Sequence, residues 1–353
     1  MIKNTKNCLS LLLCGLIFFI NLISFSGCHQ VKTPITKTGV YFDTVISITL
    51  YETNSSELID ECFTIADSYE LLLSKSIEGS DVYNINNSYN EWVKVDPSTY
   101  YLISESFKYE ELSDGRFSVM CGALTDLWNI SEKMEALSSS SDNVDVSGNL
   151  IPTEAEIASA KALCGKSTIE LDPSSSSVKI NKKGAKLDLG AVAKGYIADM
   201  MKEHLISQGV ESGIIQLGGN VLLIGSNPTK DSGLFTVGIQ TPFFGEGGTP
   251  ESIITSVSET DKSIVTSGNY QRYFEYEGEV YHHIIDLTTG YPAESGLNSV
   301  TIICDTSFDA DALSTVCFLL GKKEAEKALE SLHINYGVEI SPIFIDSNNN
   351  VLN

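Results

Sequence analysis

The chain is short of positive charge: 23 Lys and Arg stand against 46 Asp and Glu in 353 residues, a formal net charge of −23. Nucleic acid is held by Lys and Arg gathered on one face, so a chain this acidic is excluded from that class. The same field repels a phosphorylated ligand unless a cation offsets it, which points to a bound metal. Paired cysteines are also missing. None of the eight Cys forms a C-x-x-C, which argues against a zinc site and a dense disulfide framework. No G-x-G-x-x-G, G-x-S-x-G or H-E-x-x-H occurs. Gly165-Lys166-Ser167 ends like a phosphate loop, but Ala160 occupies the place of the required earlier glycine. What is present, 42% apolar and 20% charged residues, suits a packed core in one large or two small domains.

Residues 1–27 read as a lipoprotein signal peptide. Lys3 and Lys6 precede an apolar run from Leu11 to Ile20, shorter than the ~20 residues of a membrane span. Phe25-Ser26-Gly27-Cys28 resembles a lipobox, with Cys28 as the lipidated new N-terminus and residues 28–37 as a tether. Loss of Lys3 and Lys6 takes the charge from −23 to −25. The expected location is the extracytoplasmic face of the cell membrane, through the lipid anchor. Cys62, Cys121, Cys164, Cys304 and Cys317 then remain, most of them in apolar stretches that suit small buried thiols, with one disulfide left open.

Periodicity predicts a strand over Thr44–Tyr51 and helices over Ser56–Leu73 and from Pro97 to Leu112. Gly115 to Asn129 reads as buried turn and short helix, and Ser138 to Gly148 as a solvated loop. Thr153-x-x-Glu156 is a capping box for a helix ending near Gly165. A turn is expected at Ser174–Ser177 and a helix over Ala191–Gln208, stopped by Gly209. Short strands follow over Gly213–Leu217, Val221–Ile224 and Phe235–Gln240, then a hairpin over Arg272–Asp286 turning at Glu277-Gly278. After a strand over Leu297–Cys304, Asp309 is expected to cap a helix through Leu320, stopped by Gly321. Strands and helices mix without strict alternation, which points to an α+β fold rather than a doubly wound sheet.

Three clusters carry possible chemistry. In LDLGAVAKGYIAD (187–199) an acid and a glycine precede a helix whose first turn bears Lys194, an arrangement that offers N–H groups and a point charge to an anion. Read alone it also fits an ordinary strand-to-helix connection. TSGNY (266–270) and YHHIIDLTTGYP (281–292) gather hydroxyls, an acid and two histidines. Alternation puts His282 and His283 on opposite faces, so at least one is expected on a sheet surface without a chemical role. In DADALST (309–315), Asp311 and Thr315 share a helix face and offer two hard oxygens to Mg²⁺, although a polar helix edge would look the same.

Taken in order, these segments resemble the ApbE-type flavin transferases, the FAD:protein FMN transferase family, from about Thr38 to Cys317. The markers are LDLGAVAKGYIAD, LGGN, TSGNYQRYF, HIIDLTTGYP and DADALST, with Phe42-Asp43-Thr44 in place of a usual Met-Gly-Thr and Leu287 in place of a usual Pro. Gly115-Arg116-Phe117-Ser118 and Leu124-Thr125-Asp126-Leu127-Trp128 match a stretch lining the family's flavin site. The resemblance implies an α+β catalytic domain over 38–345, with mixed sheets and helices around a long FAD cleft. It implies Mg²⁺-dependent transfer of FMN from FAD to a Thr or Ser hydroxyl of an acceptor protein, an extracytoplasmic redox protein, with AMP leaving. Carried over residue by residue, Asp311, Thr315 and the Ala191 carbonyl hold Mg²⁺. Phe42, Arg116, Phe117, Ser118, Asp188, Lys194, Ser267, His283 and Ile284 contact FAD. His283 is also expected as the base for the attacking hydroxyl, because an imidazole titrates near neutrality. Two alternatives stay open: a diphosphatase splitting FAD to FMN and AMP, and a flavin-binding lipoprotein without catalysis.

Overall fold

The computed structural model describes residues 33–42, 44–53, 55–138, 150–243, 249 and 252–352. The expected signal peptide, Cys28, Asp43 and nearly all of the 138–148 loop lie outside the described residues. In chain order the elements are β1 (Ile35–Tyr41), β2 (Thr44–Leu50), α1 (Glu57–Leu73), α2 (Asp81–Asn86), β3 (Val93–Lys94), α3 (Pro97–Leu112), α4 (Gly122–Trp128), α5 (Ile130–Ser138) and α6 (Glu154–Lys161). Next come β4 (Ile169–Asp172), β5 (Ser177–Ile180), α7 (Ala193–Ser207), β6 (Ser212–Leu217), β7 (Asn220–Gly225), β8 (Phe235–Gln240), β9 (Ile253–Glu259) and β10 (Ser263–Gly268). The chain ends with β11 (Tyr273–Tyr276), β12 (Glu279–His282), β13 (Ile285–Asp286), β14 (Tyr291–Pro292), β15 (Leu297–Cys304), α8 (Ser307–Tyr336), β16 (Ser341–Asp346) and β17 (Val351–Leu352).

One eight-stranded sheet, ordered β1-β2-β6-β7-β10-β15-β16-β17, forms the scaffold, and every ladder in it is antiparallel. Its central strands are apolar on both faces. Val265, Val300, Ile302 and Leu222 join the main core with residues of α7 and α8, such as Ile197, Met201, Val316 and Cys317. Their neighbours Ile264, Ile303 and Leu223 point the other way and pack with Phe235 and Ile239 of the β8–β9 ribbon. The period-2 alternation of these strands therefore feeds two cores, which is why β15 is buried at all eight positions. A third cluster of Leu124, Trp128, Ile157, Phe274 and Ile285 joins α4 and α6 to the β11–β12 hairpin.

Thr153 and Glu156 form the expected capping box, with α6 ending at Lys161. The hairpin turns at Glu277-Gly278, where both residues have positive φ. Two expectations need correction. The cap of α8 is Thr306, not Asp309: the Thr306 hydroxyl accepts from Asp309 N at 3.4 Å and donates to Asp309 Oδ2 at 2.5 Å. Asp309 is thus the third helical residue. Helical turns also resume beyond Gly321, whose φ of 71° and ψ of 161° break the helix locally and place a kink there.

Candidate active site

The segment between β5 and α7 is pinned from both sides. Leu187 and Leu189 are buried, and the Asn86 side chain brackets Leu187 with bonds of 2.7 Å to its N–H and 2.9 Å to its carbonyl. Asp188 faces between them. Its Oδ1 accepts from Gly190 N at 3.0 Å, while Oδ2 accepts from Thr125 Oγ1 and Lys75 Nζ, each at 3.0 Å. Burial opposes ionisation of Asp188, but Lys75, the Gly190 N–H and Thr125 outweigh it and hold the carboxyl below its usual range.

Ala191 and Val192 lead into α7, where Lys194 Nζ donates to Gly190 O at 3.1 Å and lies 3.9 Å from Asp311 Oδ1. The next residue, Gly195, donates its N–H to Asp311 Oδ2 at 2.9 Å. This approach requires glycine: a Cβ there would sit 2.2 Å from Ser307 O and 2.8 Å from Asp311 Cβ. Asp311 is only 4% exposed. Burial raises its pKa, against the counter-effects of Lys194, the Gly195 N–H and Asn220. Asn220 Nδ2 is itself buried and makes no hydrogen bond of ordinary geometry. One turn on, Thr315 Oγ1 sits 3.1 Å from Ser267 Oγ, which is 2.7 Å from Ser314 Oγ. The fold thus brings together Lys194, Asp311, Thr315 and Ser267 from three separate segments.

Arg116 Nη1 pairs with the buried Asp286 at 2.7 Å, and Asp286 Oδ1 also accepts from Thr288 N and Oγ1 at 2.8 and 2.6 Å. Asp286 therefore fixes the turn after the histidines. Phe117, Ser118 and Ile284 are buried. Phe117 meets the Tyr109 ring edge-on at 6.3 Å, and Ser118 donates to the Glu110 carboxylate while accepting from Met120 N at 3.1 Å. Phe42 stands at the β1–β2 turn with a φ of 53°, its N–H donating to Glu70 Oε1 at 2.9 Å.

The histidines differ in kind. His282 is 4% exposed and edge-on to Phe318, with Nε2 3.0 Å from Ala293 O and Nδ1 accepting from Ile284 N at 3.3 Å. It is a bonded core residue, not a sheet-surface histidine, and burial lowers its pKa to about 4. His283 is half-buried, and its Nδ1 lies 3.2 Å from Arg272 O. Because a carbonyl can only accept, Nδ1 carries the proton and Nε2 keeps a lone pair. Burial, then the Arg272 charge, pushes the His283 pKa well below 6.5. The expectation of titration near neutrality is corrected accordingly: the ring is neutral at pH 7.

Lys75, Gly195, Asn220 and the Asp126–Lys186 pair are additions of the structure. Gly195 had a local signal, a glycine inside a helical pattern, which marks close approach when it is kept. The other three have no local pattern, since Lys75 meets Asp126 and Asp188 from 51 and 113 positions away. Among the described residues no three His, Cys, Asp or Glu side chains group as a metal site, so a metal here would rest on one carboxylate with neutral oxygens.

Comparison with known proteins places this arrangement. The ApbE family profile matches residues 42–338. The FAD:protein FMN transferase of Klebsiella pneumoniae (strain 342) is 32% identical over 316 residues, 89% of this chain and 90% of the relative. That of Treponema pallidum (strain Nichols) is 34% identical over 300 residues, covering 82% and 77%. Among solved structures, the ApbE protein from Thermotoga maritima superposes with a TM-score of 0.75 at 29% identity, covering 91% of this chain and 96% of that one. With the profile spanning every segment that builds the site, from Phe42 to the helix of Asp311 and Thr315, the chain belongs to the ApbE family.

Proposed function

We propose that the chain is an FAD:protein FMN transferase, moving the FMN half of FAD onto a Thr or Ser hydroxyl of an acceptor protein. Its relatives in Klebsiella pneumoniae and Treponema pallidum carry that name. The observation that carries the reading in this chain is the meeting of α7 and α8, where Asp311 accepts from Gly195 N and faces Lys194. Asp311 is a buried carboxylate whose Oδ1 faces Lys194 at 3.9 Å, beyond hydrogen-bond distance. A buried carboxylate one helical turn before the Thr315 hydroxyl suits a hard cation with oxygen ligands. Asp311, Thr315 and the Ala191 carbonyl would hold Mg²⁺, which when bound neutralises charge on the diphosphate oxygens.

The chain's own groups divide the remaining work. Lys194, at the first turn of α7, places a positive charge toward the diphosphate. The acceptor hydroxyl oxygen bonds to the flavin-side phosphorus, the bond from that phosphorus to the bridging oxygen breaks, and the bridging oxygen leaves with AMP. His283 Nε2, free as an acceptor, takes the hydroxyl proton. Arg116, fixed by Asp286, Ser267, and Phe42 at its turn serve FAD binding in this reading, with Phe117, Ser118 and Ile284 forming the wall behind. Cys28 carries the lipid that holds the enzyme at the extracytoplasmic membrane face, where its acceptors are redox proteins.

The test is incubation with FAD, Mg²⁺ and a candidate acceptor protein, followed by in-gel flavin fluorescence. A fluorescent acceptor band is expected. FMN and AMP appearing without a band would make the protein a hydrolase, and intact FAD would make it a binder.

A further inference from the structure

Lys75 follows the C-terminus of α1 and is held between two carboxylates, 3.0 Å from Asp126 Oδ1 and 3.0 Å from Asp188 Oδ2. Each carboxylate is fixed independently: Asp126 Oδ2 by Lys186 Nζ at 2.6 Å, and Asp188 by Thr125 Oγ1 and Gly190 N. Burial opposes the charge on Lys75, but the Asp188 and Asp126 carboxylates prevail and raise its pKa above the usual lysine value, which keeps the ammonium charged. An ammonium has three N–H donors, and the carboxylates take two. The side chain is 44% exposed, so it is not sealed into the core.

The same contacts tie Lys75 to the diphosphate end. Asp188 bonds Gly190, Gly190 O accepts from Lys194, and Lys194 faces Asp311. Ala191 comes three positions after Asp188, a reach of at most about 10 Å, comparable with the distance from a dinucleotide's diphosphate to either of its rings. Asp188 accepts three hydrogen bonds, one of them from Lys75, and so holds the lysine beside the site.

Resting on the FAD reading above, we propose that Lys75 is a further FAD-binding residue, held by Asp126 and Asp188 so that its third N–H meets a ring or sugar acceptor atom in one of the two arms flanking the diphosphate.

The test uses the full-length protein with a chelator present, so that binding is read without turnover. Affinities for FAD, FMN and AMP are measured by titration for wild type, Lys75→Met and Lys75→Arg, with a urea melt of each protein without ligand. Lys75→Met is expected to weaken FAD binding about 10- to 100-fold, the scale of one charge-assisted hydrogen bond. The loss should recur in one fragment only, FMN or AMP, which names the arm, and Lys75→Arg should recover most of it. Unchanged FAD affinity in Lys75→Met overturns the inference. So does an equal loss for FMN and AMP, which is the signature of a general field, or a fall in ligand-free stability that accounts for the loss. Wild-type protein that binds no FAD even with Mg²⁺ in place of the chelator would remove the flavin reading itself, whereas wild-type binding with an indifferent Lys75→Met removes only this inference.

Discussion

Gly195→Ala perturbs the candidate site with a single methyl group. Its Cβ would lie 2.2 Å from the Ser307 carbonyl oxygen, 2.6 Å from the Ser307 carbonyl carbon and 2.8 Å from Asp311 Cβ. Ordinary contact needs more than about 3.4 Å, and two of the obstacles are backbone atoms at the start of α8, so α7 and α8 must part by roughly 1 Å. Overpacking of this kind costs about 1–3 kcal/mol. Separation also stretches the 2.9 Å bond from Gly195 N to Asp311 Oδ2, a bond to a charged group that contributes about 1.5–3 kcal/mol. Alanine returns about 1 kcal/mol of helix propensity. The expected net loss is about 2–4 kcal/mol in urea unfolding, at unchanged m-value. A displacement of about 1 Å at a reacting site costs about 100-fold in rate, so FMN transfer should fall by that order even where the variant is fully folded. A Gly195→Ala protein within about 0.5 kcal/mol of wild type and transferring at normal rate would show that this helix crossing does not set the site.

Asp311→Asn keeps the shape and loses the charge, and should cut transfer by about 100- to 1,000-fold, with excess Mg²⁺ restoring it only in part; wild-type rates at low Mg²⁺ would remove Asp311 from the site. His283→Ala should slow transfer with little change in FAD affinity, and the wild-type rate should stay level from pH 8 down through 6.5, because the depressed pKa keeps the base form present there; a drop centred on 6.5 would refute this. His282 has a folded pKa of about 4 against 6.5 unfolded, so the unfolded state binds more protons in that window and stability is lost as pH falls through it, by about 3 kcal/mol in full. Asp199, lifted by burial to about 6 from 3.8, has the opposite sign and gains stability as pH falls through 6. Because His283 shares the sign of His282, urea melts of wild type should lose stability between pH 6.5 and 4, and His282→Gln should lose less; parallel profiles would count against a neutral buried His282. Cys28→Ala should move the protein out of the membrane fraction, and its retention there would dismiss Cys28 as the anchor.

Local rules were enough for the elements whose signals are local. The capping box at Thr153 and Glu156, the turn at Glu277-Gly278 and the apolar run of β15 all depend on neighbours within a few positions. β1 escaped in part because ITKTGVY, with its polar residues and glycine, reads as the end of a tether until β2 pairs with it. The turns of α8 after Gly321 escaped because a glycine of positive φ is an ordinary stop signal, and the backbone does leave the helix there. At the site, Lys194 and Asp311 were visible as residue types through the family resemblance. What joins them was not visible: Gly195 N meets Asp311 across 116 positions, and the decisive quantity is the missing methyl of a glycine. The two histidines show the limit of alternation, which separates faces and says nothing of which face is covered. Here Phe318 and Ala293 cover the His282 side.

The strand order has a consequence for how the chain reaches its native state. β2 pairs with β6 through Leu50 and Gly213, closing an excursion of roughly 160 residues, whereas β6 and β7 close through Gly218-Gly219. At about 0.6 kcal/mol per doubling of loop length, the long closure is disfavoured by about 4 kcal/mol relative to the hairpin. Sheets dominated by such distant pairings assemble slowly. The β6–β7 hairpin and the β10–β15–β16 group should form first, with the β1–β2 hairpin docking last onto β6. Until it docks, the β6 edge stands open and apolar. In refolding at high concentration that edge is where one molecule would capture the β2 strand of another.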